Sequence, residues 1–526
     1  MNQSVSRLMA ASRAATTDQR GHVSRLLLAL MLAVTLGGST RTRAAAPDGY
    51  AEVLPDLRPA ISAETAGELS AYRMEATLDP ATSTLTGEAT VTYRNRATTP
   101  LPEVYFRLYP NAAYYGEASL TIAAARVEGM AVTPTLEVDE TALRVPLPAA
   151  VAAGASVTIA LDFTTTVPID SAGSYGIFTR DSSEGTWILA DWHPVLAVYE
   201  EDDGWKIDPA TSFGDPTYAA SALYDVTITA PADLTVVASG VTVTTTEHDG
   251  VIAHQYVAGP AREFTLVIDD DYEAVSAEVN GVTVTVYTEP ELATTVAGEA
   301  ALEIAGAALT VFSERFGAYP FAELDLVQTT LTSALAVSWS GIIFLDGPTL
   351  LGSYAVSDPT GFETVIAHEV AHLWWGGSVG SDSNTHGFIN EGLATISSIL
   401  YLEWTVGREP ANQELKAWVI QPARALLSRG DTIVDLPIAE GQDPDVRAWA
   451  AYAKATLGYL AIRQQIGDEA FFAGLRVFAE RFAFGIATPA GLRAAFEETS
   501  GQDLRELWRH WFEAAEMSAD EIRALT

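Results

Sequence analysis

Cysteine is missing from all 526 residues, which excludes disulfides, thiolate nucleophiles, cysteine-held metals and lipid attachment through an N-terminal cysteine. Lysine is almost missing too: Lys206, Lys416 and Lys454 are the only three. With 68 Asp and Glu against 30 Lys and Arg, the formal net charge is −38. That balance argues against nucleic acid or an anionic lipid surface recognised through a basic patch. It reads instead as the soluble surface of an exported protein. Beyond residue 46 no run approaches about 18 uninterrupted apolar residues, so no later segment is a candidate membrane span. What the chain has in quantity is apolar side chain, 48% of the total, enough for large cores in two or three domains.

Residues 1–46 stand apart. Arg13, Arg20 and Arg25 precede the apolar run Leu26 to Leu36, and Ala44-Ala45-Ala46 offers small residues for cleavage, the pattern of a secretory signal peptide. The expectation is an exported chain that is secreted, periplasmic or at the cell surface. It is membrane-anchored only if the leader stays uncleaved, an option kept open by Arg41 and Arg43.

From about residue 70 to 288 short alternating runs separated by turn residues indicate β structure, with hairpin signals at Asp249-Gly250 and Asn280-Gly281. The pattern changes near Glu289-Pro290, after which helical spacing runs to Phe316 and stops at Gly317. Leu324 to Gln328 and Ser340 to Leu345 read as strands, and the chain after Glu409 as nearly all helix, with Thr488-Pro489 starting one of its helices. The expected architecture is a multidomain α and β chain. It has an antiparallel β-sandwich or saddle domain over 47–289, then an α+β domain ending in helices over 290–526.

The chemistry is concentrated in His368-Glu369-Val370-Ala371-His372, with eighteen residues between His372 and Glu391 of Asn390-Glu391-Gly392. Two histidines four apart on a helix lie on one face and can share an ion. Glu391 can be the third ligand, which leaves one zinc position open, the arrangement of a catalytic site. Glu369 sits where a general base is needed. Asp358-Pro359 can start the helix and Gly376-Gly377 can end it. One Zn²⁺ per chain and a hydrolytic reaction are expected.

HExxH, eighteen residues and Asn-Glu-Gly together resemble the aminopeptidase N family of gluzincin metallopeptidases, and the strand-then-helix order around them resembles a thermolysin-like catalytic domain. Phe312 to Pro320, His368 to Gly376 (His-Glu-Val-Ala-His-Leu-Trp-Trp-Gly), Tyr452-Ala453-Lys454, Phe106 to Asn111 and Trp205 to Pro216 extend the resemblance, in the manner of divergent bacterial members. It implies that His368, His372 and Glu391 bind zinc, that Glu369 activates water, that Tyr452 donates a hydrogen bond in the transition state and that the substrate is a peptide or protein. The family's glutamate for the substrate α-ammonium falls on Ser338 in this sequence, and a second amine-binding position falls on His193. A hydroxyl cannot supply a counter-charge. A peptidase indifferent to a free amino terminus, and a zinc-bearing surface scaffold without activity, are therefore alternative readings. His386 and the acidic runs 200–203 and 269–271 read as solvated loop positions, and Trp374 and Trp375 as packing for the zinc helix.

Overall fold

The computed structural model describes residues 68–214, 217–293, 296–438 and 442–525; the expected leader lies outside the described residues. An eight-stranded sheet organises the amino-terminal part, in the order Val241–His248, Val251–Ala261, Ala222–Pro231, Ser70–Asp79, Thr84–Arg94, Ser156–Thr166, Ser119–Val127, Met130–Val132. Sequence alternation becomes alternating burial: Tyr72, Met74, Ala76 and Leu78 face the core, while Arg73, Glu75 and Thr77 face water. Asp249-Gly250 and Asn280-Gly281 do close hairpins, with positive φ at all four residues, as a type I′ turn requires. One pair departs from the expected antiparallel order. Ser70–Asp79 and Ala222–Pro231 run parallel, which the long connection between them permits and a hairpin would not.

A four-stranded sheet, Thr235–Ala238, Leu266–Asp269, Trp187–Leu189, Phe178–Arg180, separates two cores. Trp187 and Leu189 pack with Met74, Val91 and Ile159. Ile188 and Val267 point the other way, against Val327, Ile342 and Phe344. Those last residues belong to a five-stranded sheet ordered Glu273–Val279, Val282–Thr288, Glu323–Thr329, Ile342–Asp346, Ala336–Trp339. Its opposite face, with Leu326, Ile343 and Leu345, closes on helices α1 (Ala297–Phe316) and α2 (Pro359–His372). A sheet buried on both faces reads as continuous apolar runs, which is why its strands were visible in the sequence.

Two features of this sheet were not visible. Glu273–Thr288 pairs into it, because Val282–Thr288 runs parallel to Glu323–Thr329 and α1 is the crossover between them. The compositional change near Glu289 marks the start of the crossover, not the edge of the sheet. Ser340 is in a turn rather than a strand: Gly341 has φ +82° and reverses the chain from Ala336–Trp339, an antiparallel edge strand, into Ile342–Asp346. That edge strand lies beside α2 and so bears on the site. No described helix is long and apolar enough to cross a membrane.

Candidate metal centre

α2 begins where the sequence indicates. Asp358 accepts a hydrogen bond from the Gly361 N–H at 3.1 Å, and Pro359 occupies the first turn. The helix ends at His372, and the loop through Gly376, φ +128°, turns away. Trp374 and Trp375 hold this end by packing, their indole N–H groups donating to the Gly317 carbonyl and the Ser397 hydroxyl, each at 3.0 Å. Glu391 sits in a π-helical turn, Phe388–Gly392, which leads into α3 (Leu393–Thr405). Gly392 is required there, since a Cβ would come within 2.8 Å of Ala455 Cβ.

The three expected ligands converge. His368 Nε2 and His372 Nε2 are 3.0 Å apart, and Glu391 Oε2 is 3.3 and 3.2 Å from them. A tetrahedral ion with bonds of roughly 2.0–2.1 Å has ligand-to-ligand edges near 3.3 Å, so the three atoms approximate one face of such a tetrahedron. Glu391 Oε2 is buried and has no hydrogen-bond partner among the described residues. His372 Nδ1–H donates to Asn390 Oδ1 at 2.6 Å, which leaves Nε2 as the donor atom toward an ion. Burial opposes charge on His372, yet Glu391 and Glu369 overcome it and raise its pKa to about 10. Glu391 is held below the ordinary carboxylate range, with the two histidines outweighing its burial. Three donor atoms at these separations, one of them a buried carboxylate oxygen without a hydrogen-bond partner, fit a divalent cation. Asn390 was quoted only as part of a motif; its adjacency to Glu391 was the signal for its role.

Glu369 faces the same cleft, a cavity of about 590 Å³. Ser338 donates to Glu369 Oε2 at 2.6 Å and is also 2.9 Å from the Glu369 carbonyl. The structure thus places Ser338 in the cleft and engages its hydroxyl with the neighbouring carboxylate. Tyr452, in the π-helical turn Trp449–Lys454 ahead of α4 (Ala455–Ile466), lies flat beside His368 with centroids 6.0 Å apart and planes 13° apart. Burial first, then Glu391, Tyr175 and Glu369, pushes its phenol pKa well above the ordinary value. The hydroxyl keeps its proton and can donate.

His193 is not brought to the cleft. It is buried among Trp192, Tyr72 and Tyr224, with Nδ1 against the Pro194 carbonyl at 3.1 Å, and burial lowers its pKa to about 4. The aromatic residues around it claim it for the β core, so the amine-binding expectation is corrected. His386 is not a free loop residue either: it pairs with Asp435. Of the acidic run 269–271, Asp269 is buried and accepts from Thr186 at 2.8 Å. Cleft residues that the sequence did not single out include Tyr175, Glu263, Trp418 and Trp449. They come from segments far apart in the chain.

Lys454, two residues after Tyr452, is completely buried. Its ammonium donates to both Asp431 oxygens at 2.9 and 2.8 Å and to the Thr432 and Ala514 carbonyls at 2.6 and 2.8 Å. Lys454→Met leaves Asp431 buried without its cation and is expected to destabilise the fold by about 3–5 kcal/mol. Denaturant unfolding of the two proteins measures this. Adding Asp431→Leu should return much of the loss, and an unchanged midpoint in the single variant would refute the account.

A sheet-and-helix layer carrying two histidines and a glutamate from consecutive helices, with a second glutamate between the histidines, defines the gluzincin class of zinc metallopeptidases. Residues 300–511 match the peptidase family M1 domain. Among relatives, aminopeptidase M1-A of Oryza sativa subsp. japonica is 27% identical over 330 residues, 60% of this chain and 36% of that one. Aminopeptidase N of Streptomyces lividans is 27% identical over 270 residues, 49% of this chain and 30% of that one. The chain spans about a third of the length of these relatives. The M1 zinc metallopeptidase of Deinococcus radiodurans shares the fold, with a TM-score of 0.61 at 19% identity, covering 86% of this chain and 94% of that one. A variant of it is known with a Tyr-Ser-Ala substrate. Residues 300–511 are thus a peptidase family M1 domain similar to those of the aminopeptidase N-like gluzincins, for which the domain and its structural neighbours indicate a zinc cofactor.

Proposed function

We propose that this protein is an exported zinc peptidase that cleaves peptide bonds by direct attack of water. The observation that carries the reading is the convergence of His368, His372, Glu391, Glu369 and Tyr452 on one cleft. His368 Nε2, His372 Nε2 and Glu391 Oε2 would hold one zinc per chain. When bound, zinc supplies Lewis acidity, bringing the pKa of water toward roughly 7 and polarising a carbonyl. Glu369 takes the proton of the attacking water on its carboxylate and delivers it to the departing amine. Ser338 fixes the rotamer of that carboxylate through its 2.6 Å hydrogen bond. Tyr452 donates a hydrogen bond from its hydroxyl to the oxyanion that forms at the scissile carbonyl. No side-chain nucleophile is required, and no covalent intermediate forms.

Export rests on the leader pattern in residues 1–46, and the division into a β domain and a peptidase domain belongs to the same reading, with its boundary ahead of Glu273 because Glu273–Thr288 shares the five-stranded sheet. A peptide substrate is supported by the family and by the Tyr-Ser-Ala seen with the Deinococcus radiodurans enzyme. The test is a mixed library of unblocked and blocked peptides offered to protein carrying one zinc per chain. Cleavage products by mass spectrometry are expected. An intact library with zinc stoichiometric would overturn the peptidase reading in favour of a zinc-bearing scaffold.

A further inference from the structure

Arg262 follows strand Val251–Ala261 in the β-rich part of the chain, yet its buried guanidinium reaches backbone carbonyls of three other segments. Nε donates to the carbonyls of Gly376 and Gly377 at 2.7 and 3.0 Å, Nη2 to those of Ser378 and Gly485 at 3.3 and 2.7 Å, and Nη1 to that of Ala219 at 3.0 Å. Its own backbone N–H is fixed by the Ser340 hydroxyl at 3.0 Å. Gly380 lies directly against the guanidinium, where a Cβ would overlap Cζ. The cause of this convergence is charge. Three successive carbonyls, 376 to 378, turn toward one point just past the C-terminal end of α2, where the helix adds its own partial negative charge. Buried carbonyls need donors. A planar cation with five N–H groups supplies several in a fixed fork, which neither an ammonium nor a neutral amide can do.

The loop held in this way borders the metal centre. The Gly377 N–H donates to the His372 carbonyl at 2.8 Å and closes α2. The Gly376 backbone is set against Asn390, where a Cβ would come within 2.8 Å of Oδ1. That oxygen accepts from His372 Nδ1–H at 2.6 Å, and the Trp375 carbonyl lies 3.1 Å from the same nitrogen. What holds the far nitrogen of a ligand imidazole fixes the direction of the near one. Segment 484–487 completes the frame: the Phe484 N–H donates to the Ser378 carbonyl at 2.7 Å and the Ala487 N–H to the Gly380 carbonyl at 2.6 Å.

We propose that Arg262 is a positioning residue for the metal centre, pinning the loop after α2 so that Gly376 and Asn390 hold the His372 imidazole in its ligand orientation. It acts through the loop rather than on the ion or the substrate. The inference rests on the reading of His368, His372 and Glu391 as the zinc ligands. Zinc affinity is therefore measured by competition with a chelator, independently of cleavage, in the wild type, His372→Phe and Arg262→Ala.

Arg262→Ala should weaken zinc binding by about 10- to 100-fold, and His372→Phe should abolish tight binding. Because Arg262 lines the cleft, the truncation leaves a void open to solvent. Millimolar guanidinium should then recover much of the lost affinity, whereas methylammonium, a point charge without the fork, should not. With Co²⁺ in place of zinc, the visible d–d bands report ligand geometry. At saturating Co²⁺ they should shift in Arg262→Ala and return with guanidinium, whereas a fold that is merely less stable would keep the wild-type spectrum. Arg262→Lys retains the charge without the fork; it should lose part of the affinity, and it carries the same titrations should the alanine variant not fold. Wild-type zinc affinity in the Arg262 variants, or an unchanged cobalt spectrum at saturation, overturns the proposal. Wild-type affinity in His372→Phe instead overturns the ligand reading, and the proposal with it.

Discussion

Glu369→Gln should lower kcat by roughly 10²- to 10⁴-fold and leave one zinc bound per chain. The amide is nearly isosteric with the carboxylate and still accepts a hydrogen bond from Ser338, so the local packing is preserved. None of the three ligand atoms is touched. What is lost is the only carboxylate that follows a zinc-ligand histidine on α2, and with it the acceptor for the proton of the attacking water. A neutral amide has no useful basicity near pH 7. Paired measurements of kcat and of zinc content separate this loss from loss of the metal. Full turnover in a zinc-replete variant would remove Glu369 from the mechanism, and with it the principal argument for hydrolysis.

Tyr452→Phe should cost about 10²- to 10³-fold in kcat, with KM changed only a few-fold. The ring lying beside His368 is retained and the hydroxyl alone is deleted, so the substitution subtracts one donor from the cleft. Such a donor stabilises charge that exists in the transition state and not in the bound substrate, which is why the loss falls on kcat. The buried, strongly proton-retaining phenol suits that task. An increase in KM at constant kcat would recast Tyr452 as a residue that binds ground-state substrate.

The relation between sequence and site can be followed through particular residues. His368, Glu369 and His372 were legible because helical geometry fixes the relation of positions four apart with no help from the rest of the fold. Glu391 was legible from its spacing, although spacing does not reveal that a π-helical turn and the close approach of α4 bring it to the histidines. His193 shows the limit. Alignment put it at a ligand-binding position, and packing against Tyr72, Trp192 and Tyr224 took it into a core. Lys454 followed a motif as closely as Tyr452 did, and burial made it half of a structural ion pair.

The residues alone pointed to a metal, to a candidate base and to the order of β structure before helix, because these depend on local periodicity and on the identity of donor atoms. Tertiary structure alone decided which strands share a sheet, which carboxylates face the cleft and what lies across from the zinc ligands. Glu263 and Glu369 are far apart in the chain and meet at Ser338–Ser340 only because an edge strand is folded back beside α2. Contacts of that kind are set by the burial of whole faces, which no short window of residues encodes.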